Sequence, residues 1–412
     1  MTGNLRRVKY NLGSLGVSSE DHLIPSRKLL LVGGLIAGLI AGLLTAMPAA
    51  AQMTPAVPDP LARIRAAANA NAEACSVQET SACARATPKI VAGAQSSTTL
   101  AANLRRLTDE IGGRVTGTPQ MTHAVAWAVA AFRAAGVEDV HTEKFTVPAA
   151  WSEQKSRPEV LAPPASMAGE NVIAEIRGRE KPDEFVLLGA HLDSWNLGAG
   201  ALDAGCNAAL VIEAARVIHL TGLRPRRSIR FVLFSGAEQG GLGSWAYVRA
   251  HRAELDRAVA AVFFSWGSGP VTGFSLGGRN DIDPGVRESL ALLDSSWNVN
   301  RHTGNAYLGE DNLDFLLEGV PNLVANQEDA GYAANHHAAS DTFDKVDLVT
   351  LKRNTAVAGV LAFGLAEHAA PLGRRLSHAE TETLLGRTGL DTEMKSAGLW
   401  RLWESGERGR LP

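Results

Sequence analysis

Apolar positions along the chain fall into two rhythms: short unbroken runs, and longer stretches with helical spacing. Strands are read at 171–176, 185–188 and 323–325, and the runs at 230–234 and 258–264 are of the kind buried in a central sheet. A weaker pattern at 137–147 reads as an edge strand or hairpin, and a polar turn at 178–183 separates two of the runs. Helical spacing covers 99–107, 120–135, 207–220, 284–293, 311–317 and 348–367. Local signals support these bounds: Thr118 and Pro119 open the second helix and Gly136 closes it, while Asp59 and Pro60 open a further one upstream. Alternating strands and helices predict an α/β fold, a three-layer sandwich with a mixed, mostly parallel central sheet flanked by helices. The expected organisation is a leader or anchor at 1–51, a helical or flexible segment at 52–94, the main domain at 95–370, and a tail at 371–412 packing back through Trp400 and Trp403.

The apolar run at 29–47 follows Arg27 and Lys28 and is succeeded by Ala49, Ala50 and Ala51, small residues at which a signal peptidase could cut. This predicts export, to a periplasmic or secreted location. The alternative is an uncleaved membrane anchor, since about 18 apolar residues can span a bilayer. Cys75 and Cys83 bracket a short loop. In an exported chain they suit a local disulfide, and otherwise they are two free thiols. Cys206 reads as a small packing residue with no base beside it.

A formal net charge of −3, with no basic patch, excludes nucleic acid as a partner. The residues that carry chemistry lie where strands end. His191 and Asp193 follow the run at 185–188, and a Gly-rich loop then leads to Asp203 at a helix start. Glu238 follows the run at 230–234, Ser265 and Trp266 follow the run at 258–264, and His336-His337 with Asp341 precede the last long helix. Singly each has an ordinary explanation: a hydrogen-bonded histidine, a surface turn, a helix cap. Together they are the His and carboxylate types that hold zinc, in the loops where open α/β sheets place their chemistry.

The motifs LLGAHLDSW, GALDAG, FSGAEQGGLGS and NHHAASDTFDKVD, in this order, resemble those of the co-catalytic zinc exopeptidases, the family of the bacterial leucyl-type aminopeptidases and carboxypeptidase Q. The resemblance implies a metallopeptidase acting on small peptides, with one or two zinc ions. It implies His191 as a ligand of one zinc, Asp203 as the bridging carboxylate, and Glu238 and His337 as ligands of the other. Asp193 would orient His191, and Asp341 would stand behind His337. The family also leads to an expectation that 309–321 lines the substrate side.

The chain departs from that pattern at two places. Ala237 stands where the family has the glutamate that takes the proton from water, and Ser265 where it has an aspartate ligand of the His191 zinc. Ala204 and Asn196 replace carboxylates nearby, and the protease-associated insert of carboxypeptidase Q-like proteins is missing between Pro164 and Asn171. The expectation is therefore an exported metallo-exopeptidase of impaired activity with one weakened zinc site, or an inactive relative that binds metal or peptide.

Overall fold

The computed structural model describes residues 81–147, 152–154, 157–159, 167–309 and 311–411, with the backbone alone at 152–154, 157–159 and 167. The leader, the helix start at Asp59 and Cys75 lie outside these residues. Nine strands are present among them: β1 (Asp139–Val147), β2 (Ser152–Gln154), β3 (Arg157–Glu159), β4 (Met167–Ile176), β5 (Lys181–His191), β6 (Arg227–Phe234), β7 (Ala258–Phe263), β8 (Val271–Ser275) and β9 (Asn322–Gln327). Strands β2 and β3 form a separate hairpin, and the other seven make one sheet in the order β1-β4-β6-β5-β7-β9-β8. The sheet is mixed, as expected, but its parallel part is confined to the four central strands. The pairs β6–β5, β5–β7 and β7–β9 are parallel, whereas β1–β4, β4–β6 and β8–β9 are antiparallel.

Side chains alternate across a strand, so a strand buried on both faces has two apolar sets. In β5, Val186, Leu188 and Ala190 join the large core under the helices Ala82–Gln95, Cys206–Leu220 and Leu348–Glu367. Phe185 and Leu187 join a second core with Val232, Phe234, Phe263, Tyr247 and Phe315. This accounts for the unbroken apolar runs and gives the three layers. The boundary expected near residue 95 falls at the end of a helix whose Ala86, Ile90 and Ala94 are already core. Within the segment 309–321 lies the fully buried helix Asn312–Leu317, with Phe315 against Phe234 and Phe263. Near the C-terminus, Trp403 is buried with Leu313, Leu316 and Leu317 of that helix.

The chain leaves β5 for β6 on one side and reaches β7 on the other, so the C-terminal ends of β5 and β7 lie at a point where the strand order reverses. Open sheets keep a crevice there. His191 ends β5 and Ser265 follows β7, while Glu238 and His337 arrive on the loops after β6 and β9.

Candidate metal centre

His191 is 5% exposed at the last position of β5. Its Nδ1 lies 3.0 Å from the main-chain carbonyl of Asp193, which leaves Nε2 facing Asp203 Oδ1 at 3.6 Å. The expected orienting role of Asp193 thus runs through its backbone. Its carboxylate is 3.7 Å from His191 Nδ1 and accepts the amides of Ala237 (3.3 Å) and Glu238 (3.2 Å), pinning the loop after β6.

Asp203 sits in the turn Ala201–Gly205, and the Asp203–Ala204 peptide is cis. Two buried groups hold the turn. The Arg114 guanidinium donates to the carbonyls of Leu192, Gly112, Ala199 and Gly200. The carboxylate of Asp341 accepts the amides of Ala201, Leu202 and Asp203 at 3.0, 2.6 and 3.2 Å. Asp341 therefore supports Asp203 rather than standing behind His337, because its loop passes over the 199–203 turn, where Ala199 N donates to Asp341 O at 2.8 Å. Gly200 adopts φ +61°, and a Cβ there would collide with Ser194.

The side chains converge around Asp203. Its Oδ1 accepts from Tyr332 Oη at 3.0 Å, and its Oδ2 faces His336 Nε2 at 3.4 Å and His337 Nε2 at 3.3 Å. Glu238 Oε2 accepts from Trp195 Nε1 at 2.9 Å and meets His337 Nε2 at 3.0 Å. The Trp195 ring lies over His337, with centroids 5.1 Å apart. His337 itself has φ +56°, a left-handed conformation that is costly for a residue with a side chain.

Charge is concentrated here. Burial opposes ionisation of Asp203, but His191 and His337 outweigh it and hold the carboxyl far below the ordinary range. Burial pushes Glu238 upward. For His337 burial acts downward, yet the Asp203 and Glu238 carboxylates raise it to about 9. His191 is likewise raised despite its burial, through Asp193 and Asp203.

The donor set fits zinc. His191, Asp203 and Glu238 offer ligand atoms within 4.8 Å of one another, and so do Asp203, His336 and His337. Asp203 Oδ2 and Glu238 Oε1 are buried without a hydrogen-bond partner, a state that is costly unless a cation supplies the interaction. Ser265 is buried but belongs to neither group, and Ala237 presents only a methyl group. Sequence reasoning did not assign Trp195, Tyr332 or Arg114, and it passed from His336 to His337. The available signals were an aromatic two positions after Asp193 and the doubled histidine.

An α/β sandwich with two overlapping groups of histidine and carboxylate donors at a strand-order reversal defines a metallohydrolase-type centre. Residues 171–362 match the model of Peptidase family M28. Carboxypeptidase Q of Rattus norvegicus is 32% identical over 197 residues, covering 48% of this chain and 41% of the relative. The chain thus spans about two fifths of the length of such relatives. An M28 peptidase precursor from Shewanella amazonensis superposes with a TM-score of 0.63 at 22% identity, over 70% of this chain and 98% of the other. BSAP, a zinc aminopeptidase from Bacillus subtilis, gives 0.55 at 14% identity, over 67% and 97%. At these identities the two structures speak for the fold alone.

Proposed function

We propose that the protein is an exported, zinc-dependent exopeptidase that removes terminal residues from small peptides slowly. The observation that carries this reading is Asp203. Its two oxygens face separate histidine sets, His191 on one side and His336-His337 on the other, and Oδ2 is buried without a hydrogen bond. His191, Asp203, Glu238 and His337 would hold zinc here, and its chemistry when bound would be Lewis-acid polarisation of a scissile carbonyl and activation of water near neutral pH.

The chain's own residues set the rate. A base at position 237 would lie next to Glu238, but alanine cannot take a proton. Its absence costs about 10² to 10⁴-fold in rate, or roughly 3 to 5 kcal/mol of barrier. Asp341 is 3% exposed with its oxygens bonded to three amides, so it is poorly placed to shuttle protons as a substitute base. Asp193 is fully buried with both oxygens on amides, and is equally unsuited. Glu238 is turned to Trp195 and His337. Export is supported by the apolar leader-like run at 29–47 and by Cys83, which is disulfide-bonded.

The alanine at 237 and the serine at 265 also favour a second reading, a metal-dependent peptide-binding protein without turnover. Mass spectrometry of short peptides with free or blocked termini, incubated with zinc-loaded and chelator-stripped protein, separates the two. Stepwise loss of single residues from a free end, abolished by the chelator, is expected. Intact peptides retained by the zinc-loaded protein would replace the first reading by the second.

A further inference from the structure

We infer that His336 is itself a metal ligand, completing with Asp203 and His337 the cage of the cation on the His337 side of Asp203. This rests on the metal-dependent reading above and goes beyond the ligand set that the sequence motifs imply, in which His336 has no role.

Adjacent residues in an extended chain send their side chains to opposite sides. Here the left-handed backbone of His337, following His336 at φ −54° and ψ 123°, brings both side chains to the same side. The rings stack with centroids 3.7 Å apart and 25° between planes. Both Nε2 atoms come to the same oxygen, Asp203 Oδ2, at 3.4 and 3.3 Å. That oxygen is buried and has no hydrogen-bond partner, so hydrogen bonding does not explain the convergence.

Coordination does explain it. Tetrahedral zinc with bonds of about 2.0–2.1 Å separates its ligand atoms by about 1.63 bond lengths, or about 3.3 Å. The two distances to Asp203 Oδ2 match that spacing, and the 3.0 Å from His337 Nε2 to Glu238 Oε2 lies close to it. Asp203 Oδ1, 3.6 Å from His191 Nε2, remains for the other ion. The His336 side chain is 42% exposed, so it is no core-packing residue. Imidazole nitrogen is among the usual zinc donors.

The test uses the full-length apoprotein, titrated with zinc by calorimetry and with cobalt by visible absorption, as wild type and as His336→Ala. Because His336 is exposed, the variant should keep its fold, which far-ultraviolet circular dichroism checks. The expected result is that His336→Ala weakens one bound ion by at least about tenfold, alters the cobalt spectrum, and recovers affinity when free imidazole is supplied. Unchanged affinities in His336→Ala would overturn the proposal. So would a loss that imidazole does not restore, since that marks a positioning role. A wild type that binds neither metal would instead defeat the metal-dependent reading itself, so the two failures are distinguishable.

Discussion

Asp341 reaches back to Asp203 through the main chain, accepting the Asp203 amide on Oδ2 at 3.2 Å while its Oδ1 takes the amides of Leu202 and Ala201. One carboxylate, brought in just ahead of the last long helix, therefore fixes the turn that presents the Asp203 oxygens. Asp341→Asn keeps the volume but turns an acceptor toward a donor. Zinc affinity should fall about 10- to 100-fold with the fold retained, as read by competition with a chromophoric chelator. Wild-type affinity would mean that the turn holds itself.

Arg114 is the second support of the same turn. It is fully buried, and burial lowers its pKa to about 10 against the opposing pull of Asp193, Asp341, Asp203 and Glu238. Lysine cannot reproduce a planar fork bonded to four carbonyls. Arg114→Lys should lower unfolding free energy by about 3 kcal/mol or more, seen as a reduced denaturant midpoint at unchanged slope. A loss below about 1 kcal/mol would show that water replaces the guanidinium there.

Far from this centre, His368 gives a pH signature. Burial, aided by Arg227, lowers its pKa from the ordinary 6.5 to about 4. Its Nε2 lacks a hydrogen bond, and Glu288 is 3.8 Å away. Between these two values the unfolded chain binds a proton that the folded one does not. Stability is therefore full above about 6.5 and falls as the pH drops, with the loss complete below about 4. The loss amounts to roughly 3 kcal/mol. Urea unfolding at several pH values should show this slope in the wild type and a flatter one in His368→Gln; parallel slopes would contradict the assignment.

The parts of the fold set by local chemistry were legible. The helix Leu348–Glu367 lies where its spacing placed it, because Asp347 caps the amides of Val349 and Thr350. Thr118 likewise caps the helix that Pro119 begins. Strand β8 escaped notice because Gly273 interrupts a short run, and its partner β9 lies about fifty residues later in the sequence. The site divides in the same way. His191, Asp203, Glu238 and His337 stood out by type and position, and the structure brings all four together. The roles of Asp193, Asp341 and Arg114 did not, because their partners are main-chain amides and carbonyls, which any residue supplies. Tyr332 and Trp195 act through single donors onto Asp203 and Glu238, and no spacing announces such contacts.

The central claim is an intact metal platform that lacks its base. The direct measurement compares zinc-loaded wild type with Ala237→Glu in hydrolysis of an unblocked dipeptide, each with and without chelator. The account predicts slow zinc-dependent turnover in the wild type and a rise of about 10² to 10⁴-fold in the variant. Equal rates in the two proteins, or turnover indifferent to the chelator, would contradict it.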